Sequence, residues 1–425
     1  MTVGRIRVLW CHTDFRWLFV SQTISTTGDR IVLVALALLV MERTGSTADL
    51  GLVIAAQSAA LTMFLLLGGV WADRLPRHRI MVSADLIRGG LHALLAVLIF
   101  TDTLTLAELV AIEVMFGAAE AFFQPAYAGL VPQTVPEHLI QDATAINRFA
   151  QKLAGFAGPT IATGLVFVFG TGTAFAVDAS TFAVSACLLR LVTPRPRGDK
   201  APRTSVVAEA REGFREVRTR PWVWVTVSVA AVYLVVAYAP YLVLGPAVAT
   251  AGYGRAALWG WVVAAIGLGT AMGSLLALRW RPRRPLYTAI LMTVPFAGLL
   301  LLAAVGTPFI VLLPVATGAG IGLALFDVWW STALAQRVPP AALSRVCAYD
   351  QLGSYALLPL GFVSVGFLAE HIGGTTVMAV GGVLGMAVML MALLPRDTRQ
   401  LGQPDASVEL RTDRVAVGRA AKVAT

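Results

Sequence analysis

Gly69-Val70-Trp71-Ala72-Asp73-Arg74-Leu75-Pro76-Arg77-His78-Arg79-Ile80-Met81 is a short charged passage joining two long apolar runs, residues 49–70 and 79–101. Each run exceeds the roughly 18 apolar residues that argue for a membrane-spanning helix. Hydrocarbon offers the backbone no water, so such a run must satisfy its amides internally and form a helix. The passage between them is therefore predicted to be a tight turn at a membrane surface. A glycine at the end of the first span permits close backbone approach. The carboxylate and the arginines after it can cap a neighbouring helix N-terminus and pair with other charges.

Working outward, ten further apolar blocks follow the same pattern. The set is about 15–41, 49–70, 79–101, 105–128, 143–169, 172–192, 222–247, 257–278, 286–305, 309–332, 346–369 and 375–394, with charges or glycines interrupting 143–169 and 309–332. Hydrophobic residues make up 57% of the 425 and charged residues only 13%, with a mean hydropathy of +0.75, which excludes a soluble domain. The net charge of +9 sits in short segments between apolar blocks, without the aromatic interleaving of a nucleic-acid surface, so no nucleic-acid partner is expected. Cys11, Cys187 and Cys347 lie far apart with no His/Cys cluster, so neither a disulfide framework nor a metal site is expected. The first apolar block is too long for the core of a cleaved signal peptide and contains Asp29-Arg30.

Loops between the blocks alternate in charge. One side carries 26 of the Lys and Arg residues and the other only Arg43 and Arg255. The positive-inside rule then puts both termini in the cytoplasm, as an even span count requires, in a multi-pass inner-membrane protein. The expected organisation is a six-helix bundle over 1–192, a basic cytoplasmic linker over 193–221 whose end suits a short surface helix, a second six-helix bundle over 222–394 and a polar, disordered tail over 395–425. Two halves joined by a charged linker is the layout of transporters that rock one bundle against another.

The opening passage resembles the major facilitator superfamily signature G-x-L-a-D-r-x-G-r-k-x-x-l, with Trp71 for the leucine and Pro76 for the second glycine. That resemblance implies an all-α membrane protein of 12 transmembrane helices in two pseudo-symmetric six-helix bundles. It assigns Gly69, Asp73, Arg74, Arg77 and Arg79 to a cytoplasmic gate. The corresponding loop of the second half, from Gly273 to Arg284, looks like a copy without the acid. The fifth block, with Gly155, Gly158, Pro159 and Gly164, is similar to the glycine/proline motif of the superfamily's antiporters and implies exchange. Where the superfamily often has an arginine followed by a glycine in the fourth span, this chain has Glu113 and then Gly117; Arg88 is a candidate substitute cation. Further stretches around Ser25–Asp29, Ala84–Arg88, Phe123–Ala126 and Phe175–Phe182 resemble the branch containing macrolide-efflux and enterobactin-export proteins. The resemblance implies a drug:proton antiporter: a monomer with membrane lipid and a small molecule as its partners, and no cofactor beyond the proton gradient.

An ionisable group inside a span costs about 2.5–3.5 kcal/mol on insertion scales, so each needs a partner, water or a function. Asp29, Glu113, Glu120, Arg30 and Arg88 are the candidates for a proton and substrate cavity. Glu113 and Glu120, seven residues apart on one helix, share a face about 10 Å apart along the axis. Asp178 is expected to pack or cap, Asp85 and Arg88 to form a structural ion pair, and His92 to be a packed histidine. Asp327 and Asp350 are expected near the cytoplasmic ends of their spans, as gate contacts; Arg148 and Lys152 either snorkel or join the gate. Aromatic residues at Phe122, Phe123, Tyr233, Tyr238, Tyr241, Trp329 and Trp330 suit bulky amphipathic or cationic compounds.

The leading expectation is a proton-coupled exporter of drugs, siderophores or secondary metabolites. A nutrient importer or exchanger of the same fold is the alternative, against which the fifth-span motif weighs. A membrane enzyme or receptor would need a catalytic constellation or a soluble domain; the chain has no Walker A loop, HExxH or GxSxG.

Overall fold

The computed structural model describes residues 8–136, 139–194, 214–280, 282–338 and 340–394, without the side chains at 66, 69, 70, 72, 73, 141, 278, 340–345 and 348. The expected tail 395–425 and the linker residues 195–213 thus lie outside the described residues. Twelve helical spans follow in order: α1 Thr13–Thr44, α2 Thr47–Arg74, α3 Arg77–Phe100, α4 Leu106–Thr134, α5 Ile140–Phe169 and α6 Thr171–Leu189. The second half has α7 (Pro221–Tyr233, a π turn Leu234–Tyr238, then Ala239–Tyr253), α8 Leu258–Arg279 and α9 (Pro285–Met292 with Val294–Ala304). It is completed by α10 Phe309–Arg337, α11 (Pro340–Tyr355 with Leu358–Ile372) and α12 Gly374–Met391. Eleven of these are long and apolar enough to cross a membrane by length and composition. The twelfth, α4, has 29 residues and carries Glu108, Glu113 and Glu120.

Several boundaries differ from the apolar blocks. Helix α4 does not stop near 128 but continues to Thr134, through Pro125 and Pro132. Pro125 takes the helical donor from the Ala121 carbonyl, and Gly68 of α2 sits against that oxygen with no room for a side chain. The charge-interrupted block 143–169 and the glycine-interrupted block 309–332 form unbroken helices of 30 and 29 residues. By contrast, α9 breaks at Thr293, two residues before Pro295, and α11 breaks two residues before Pro359. At the break the Thr293 carbonyl accepts from the Phe296 N–H at 3.1 Å and from the Tyr233 hydroxyl at 3.3 Å.

The two halves repeat. In the first, α1 packs on α5 and α6, α2 on α4, and α3 on α6; in the second, α7 packs on α11 and α12, α8 on α10, and α9 on α12. Adding six to each label maps one set onto the other. The repeat also shows at Gly170 and Gly373, which join the fifth to the sixth span of each half with φ of 81° and 87°, a conformation that disfavours any residue with a Cβ.

Between the bundles α2 packs on α11 and α5 on α8. At the end away from the termini this contact is tight. Gly51 has no room for a side chain against the Phe362 carbonyl, nor Gly366 against that of Thr47. The Ser46 hydroxyl donates to Glu370 Oε1 at 2.6 Å, and the Thr47 hydroxyl to the Gly366 carbonyl at 3.3 Å. The outer surface is apolar, with Leu94, Val97, Phe100, Phe167, Ile310, Leu360 and Phe367 all exposed, as a lipid-facing wall requires.

Candidate functional site

One group of the first bundle's charged residues gathers inside it. Asp85, Arg88 and His92 follow one another at i, i+3 and i+7 on α3 and form a single stripe, buried against α6 and α4. Arg88 pairs with Asp85 at 2.5 Å, and the Ser185 hydroxyl of α6 donates to the other Asp85 oxygen at 2.6 Å. The guanidinium lies 4.3 Å from the ring centre of Phe123 and 4.4 Å from that of Phe182, so its faces meet aromatic rings while its edge meets carboxylates. Asp29 of α1 stands 3.9 Å from the same guanidinium. Asp85 and Arg88 therefore form the expected ion pair. It is fully buried, and such a pair is tolerated in a low-dielectric interior only when its remaining hydrogen bonds are largely met.

A cavity of about 330 Å³ opens beside this cluster. Asp29, Arg30, Arg88 and Glu120 line it together with Gln22, Ser25, Gln57, Gln124 and Gln151, and with the aromatic side chains of Phe116, Phe123 and Tyr127. Asp29 is 36% exposed and Arg88 only 2%, so the acid meets the cavity while the base stands behind it. Glu120 Oε1 accepts from the Gln124 amide at 3.1 Å. Glu113, one of the two α4 acids expected to share a cavity face, does not line this space. It is fully buried, and neither of its oxygens has a hydrogen-bond partner.

His92 is packed, as expected, and stacks on Phe116 at 4.3 Å between centroids with 4° between planes. It is also bonded. Its Nδ1 lies 2.5 Å from Asp178 Oδ2, while Nε2 lies 4.0 Å from Glu113 Oε1. Asp178 on α6 thus holds a histidine on α3 and also accepts from the Thr181 hydroxyl at 3.2 Å. The sequence does not show this pairing, because the two residues are 86 apart and meet only through helix register. The one signal available was that His92 extends the Asp85–Arg88 stripe.

The fifth-span motif divides. Gly158 lies against the backbone of Arg30 on α1, and the carbonyl of Gly155 lies against Gly267 of α8, so both serve close helix contacts, the second between the bundles. Pro159 is buried inside α5. Gly164 is exposed, with no neighbouring atom near its position. Of the gate residues, the surroundings of Gly69 and the side chain of Asp73 lie outside what is described. Arg74 is exposed in the last turn of α2, where a cation suits the helix dipole, and Arg79 is exposed in the first turn of α3. Arg77 donates to the Gly129 carbonyl of α4.

In the second bundle Asp327 and Asp350 line another cavity of about 330 Å³ with Tyr233, Phe326, Trp330 and Tyr355. Lys152 reaches it from α5 and pairs with Asp327 at 3.3 Å, a charged contact between the bundles. Trp330 Nε1 donates to Asp350 at 3.0 Å. Arg148 is exposed on α5.

A lipid-facing exterior around two repeated six-helix bundles, with charged and polar side chains gathered at an internal cavity, defines a multi-pass membrane transporter. The sequence family described as the Major Facilitator Superfamily matches residues 18–346, and the chain belongs to it. It is 28% identical over 426 residues to an enterobactin exporter, EntS, of Citrobacter koseri, covering 94% of this chain and 96% of the relative. It is 21% identical over 398 residues to macrolide efflux protein A of Streptococcus pyogenes, covering 91% and 97%. Among solved structures, the nucleoside transporter NupG matches with a TM-score of 0.72 at 12% identity over 89% of this chain and 99% of that one, a likeness of fold.

Proposed function

We propose that this chain exports a small organic molecule, drug-like, siderophore-like or a secondary metabolite, across the cell membrane in exchange for protons. It works by alternating access, with both termini in the cytoplasm. One observation carries the reading: Asp29 and Glu120 line the cavity from two different helices, with the buried cation Arg88 in the same wall, 3.9 Å from Asp29. A carboxylate in such a place can hold a proton or balance a positive charge, and these two occupancies exclude each other. Substrate and proton then take turns at one site, which is the chemical content of exchange. The energy source is the proton gradient, and no cofactor enters.

The cavity wall supports the substrate class. Carboxylates beside Phe116, Phe123 and Tyr127 favour a bulky, amphipathic or cationic compound. The relatives named for export of enterobactin and of macrolides support the direction. The 26-to-2 split of basic residues supports the cytoplasmic termini. Arg74 and Arg77, at the turn between α2 and α3, take the role of gate on the cytoplasmic side.

The test uses everted vesicles carrying the full chain, a respiration-generated pH gradient and ethidium as probe. Uptake that collapses with a protonophore, and falls at least about tenfold in Glu120→Gln and Asp29→Asn, is the expected result, since tenfold corresponds to about 1.4 kcal/mol. Uptake that ignores both the protonophore and the substitutions overturns the reading.

A further inference from the structure

Behind the cavity wall lies a second set of titratable groups that the exchange site does not use. Glu113, His92 and Asp178 come from α4, α3 and α6, and all three are fully buried. Two polar ends in this set face each other without a partner: both oxygens of Glu113 and the Nε2 of His92, with 4.0 Å between Glu113 Oε1 and Nε2. The other end of the imidazole is fixed by Asp178 at 2.5 Å. Buried polar groups are normally paired, so an unpaired acid aimed at an unpaired imidazole nitrogen calls for a function.

We propose that Asp178, His92 and Glu113 form a buried proton store serving the exchange site, with Phe116 as the partition between the store and the cavity. The proposal rests on the exchange reading above. Phe116 lines the cavity and stacks on His92, so its ring stands between the imidazole and the cavity. The chemistry balances within the three residues. Glu113 holds the proton as a neutral acid, and Asp178 accepts the Nδ1–H of a neutral His92. Transfer breaks the O–H bond of Glu113 and forms an N–H bond at Nε2, leaving a carboxylate beside an imidazolium whose charge Asp178 offsets. The gap closes through one water or a small rotation of the Glu113 side chain. Motion of the Phe116 ring then admits cavity water and carries the proton off. The other charged groups around the store are Glu120 on α4, Asp29 on α1, and Asp85 and Arg88 on α3.

Two measurements test it on the full chain. In the infrared spectrum of the reconstituted wild type at neutral pH, the carbonyl stretch of a protonated, buried carboxylic acid is expected, and Glu113→Gln is expected to remove it. The same spectrum from both proteins overturns the proposal. In proteoliposomes loaded with a pH-sensitive dye and given an imposed pH gradient, Phe116→Ala is expected to leak protons several-fold faster than wild type. Adding Glu113→Gln to that variant is expected to return the leak to the wild-type rate. A Phe116→Ala protein that leaks no faster, or a double variant that leaks equally, overturns it. The failures of the two readings separate. Gradient-driven ethidium uptake without the infrared band removes the store and keeps exchange, whereas the band with gradient-indifferent uptake removes exchange and the store's role in it.

Discussion

Arg88 shows how one residue organises the charged interior. It is almost completely buried, bonded to Asp85, near Asp29 and held between two phenylalanine rings. Arg88→Met leaves Asp85 buried without its cation, and breaking a buried pair from one side typically costs about 3–5 kcal/mol. A large fall in the melting temperature of the detergent-solubilised protein is expected, and an unchanged melting curve would contradict this account. Arg88→Lys is expected to recover little, because an ammonium can neither stack between rings nor present the guanidinium edge to a carboxylate. The charges themselves were legible in the sequence, since any acid or base inside an apolar run stands out. The Asp85–Arg88 pair was legible from its spacing of three, but which groups meet across helices was not. Glu113 and Glu120 looked equivalent by spacing, yet only Glu120 lines the cavity; Asp178 was expected to pack or cap, but its partner His92 was not visible. Those distinctions depend on the rotation of α3, α4 and α6 about their axes, set by packing between distant segments.

Among the elements, the apolar blocks reported the existence of every span. Polypeptide crossing hydrocarbon must be both apolar and helical, so length alone carries the information. Breaks inside spans were less visible, because proline has two outcomes here. Pro125 and Pro132 lie within a continuous α4, whereas α9 and α11 break just before Pro295 and Pro359. At Pro125 the freed Ala121 carbonyl lies against Gly68 of α2, a contact between distant segments that the local sequence does not show. Small residues also set the contact between α2 and α11. Gly366→Val would press a branched side chain into the Thr47 carbonyl and part the two helices. In that background, Ser25→Cys is expected to react several-fold faster with an impermeant maleimide applied from the Ser46 side. Equal rates with and without the valine would show that this contact does not close the cavity.

At the scale of the molecule, the two bundles meet tightly at the end where Ser46 bonds Glu370, and a charged contact joins them further in, at Lys152 and Asp327. If the bundles rock, the first of these must open in every cycle. A disulfide between Ser46→Cys and Glu370→Cys, in a chain with Cys11, Cys187 and Cys347 replaced by serine, is therefore expected to halt gradient-driven ethidium uptake, with reduction restoring it. Full activity in the crosslinked protein would show that these ends never separate. The charge contact gives a second check. Lys152→Asp is expected to slow uptake by placing like charges together, and combining it with Asp327→Lys is expected to recover a large part of the rate. A double variant no faster than the single one would count against a pairwise role.

The most direct measurement is proton movement driven by substrate alone. The purified chain is reconstituted into proteoliposomes containing a pH-sensitive dye, with no imposed pH gradient and an outward or inward gradient of ethidium. The account predicts a proton flux opposite in direction to the ethidium flux, reversing when the ethidium gradient is reversed and absent in Asp29→Asn and Glu120→Gln. Ethidium that crosses with no accompanying proton, or a proton flux that persists in both variants, would contradict it.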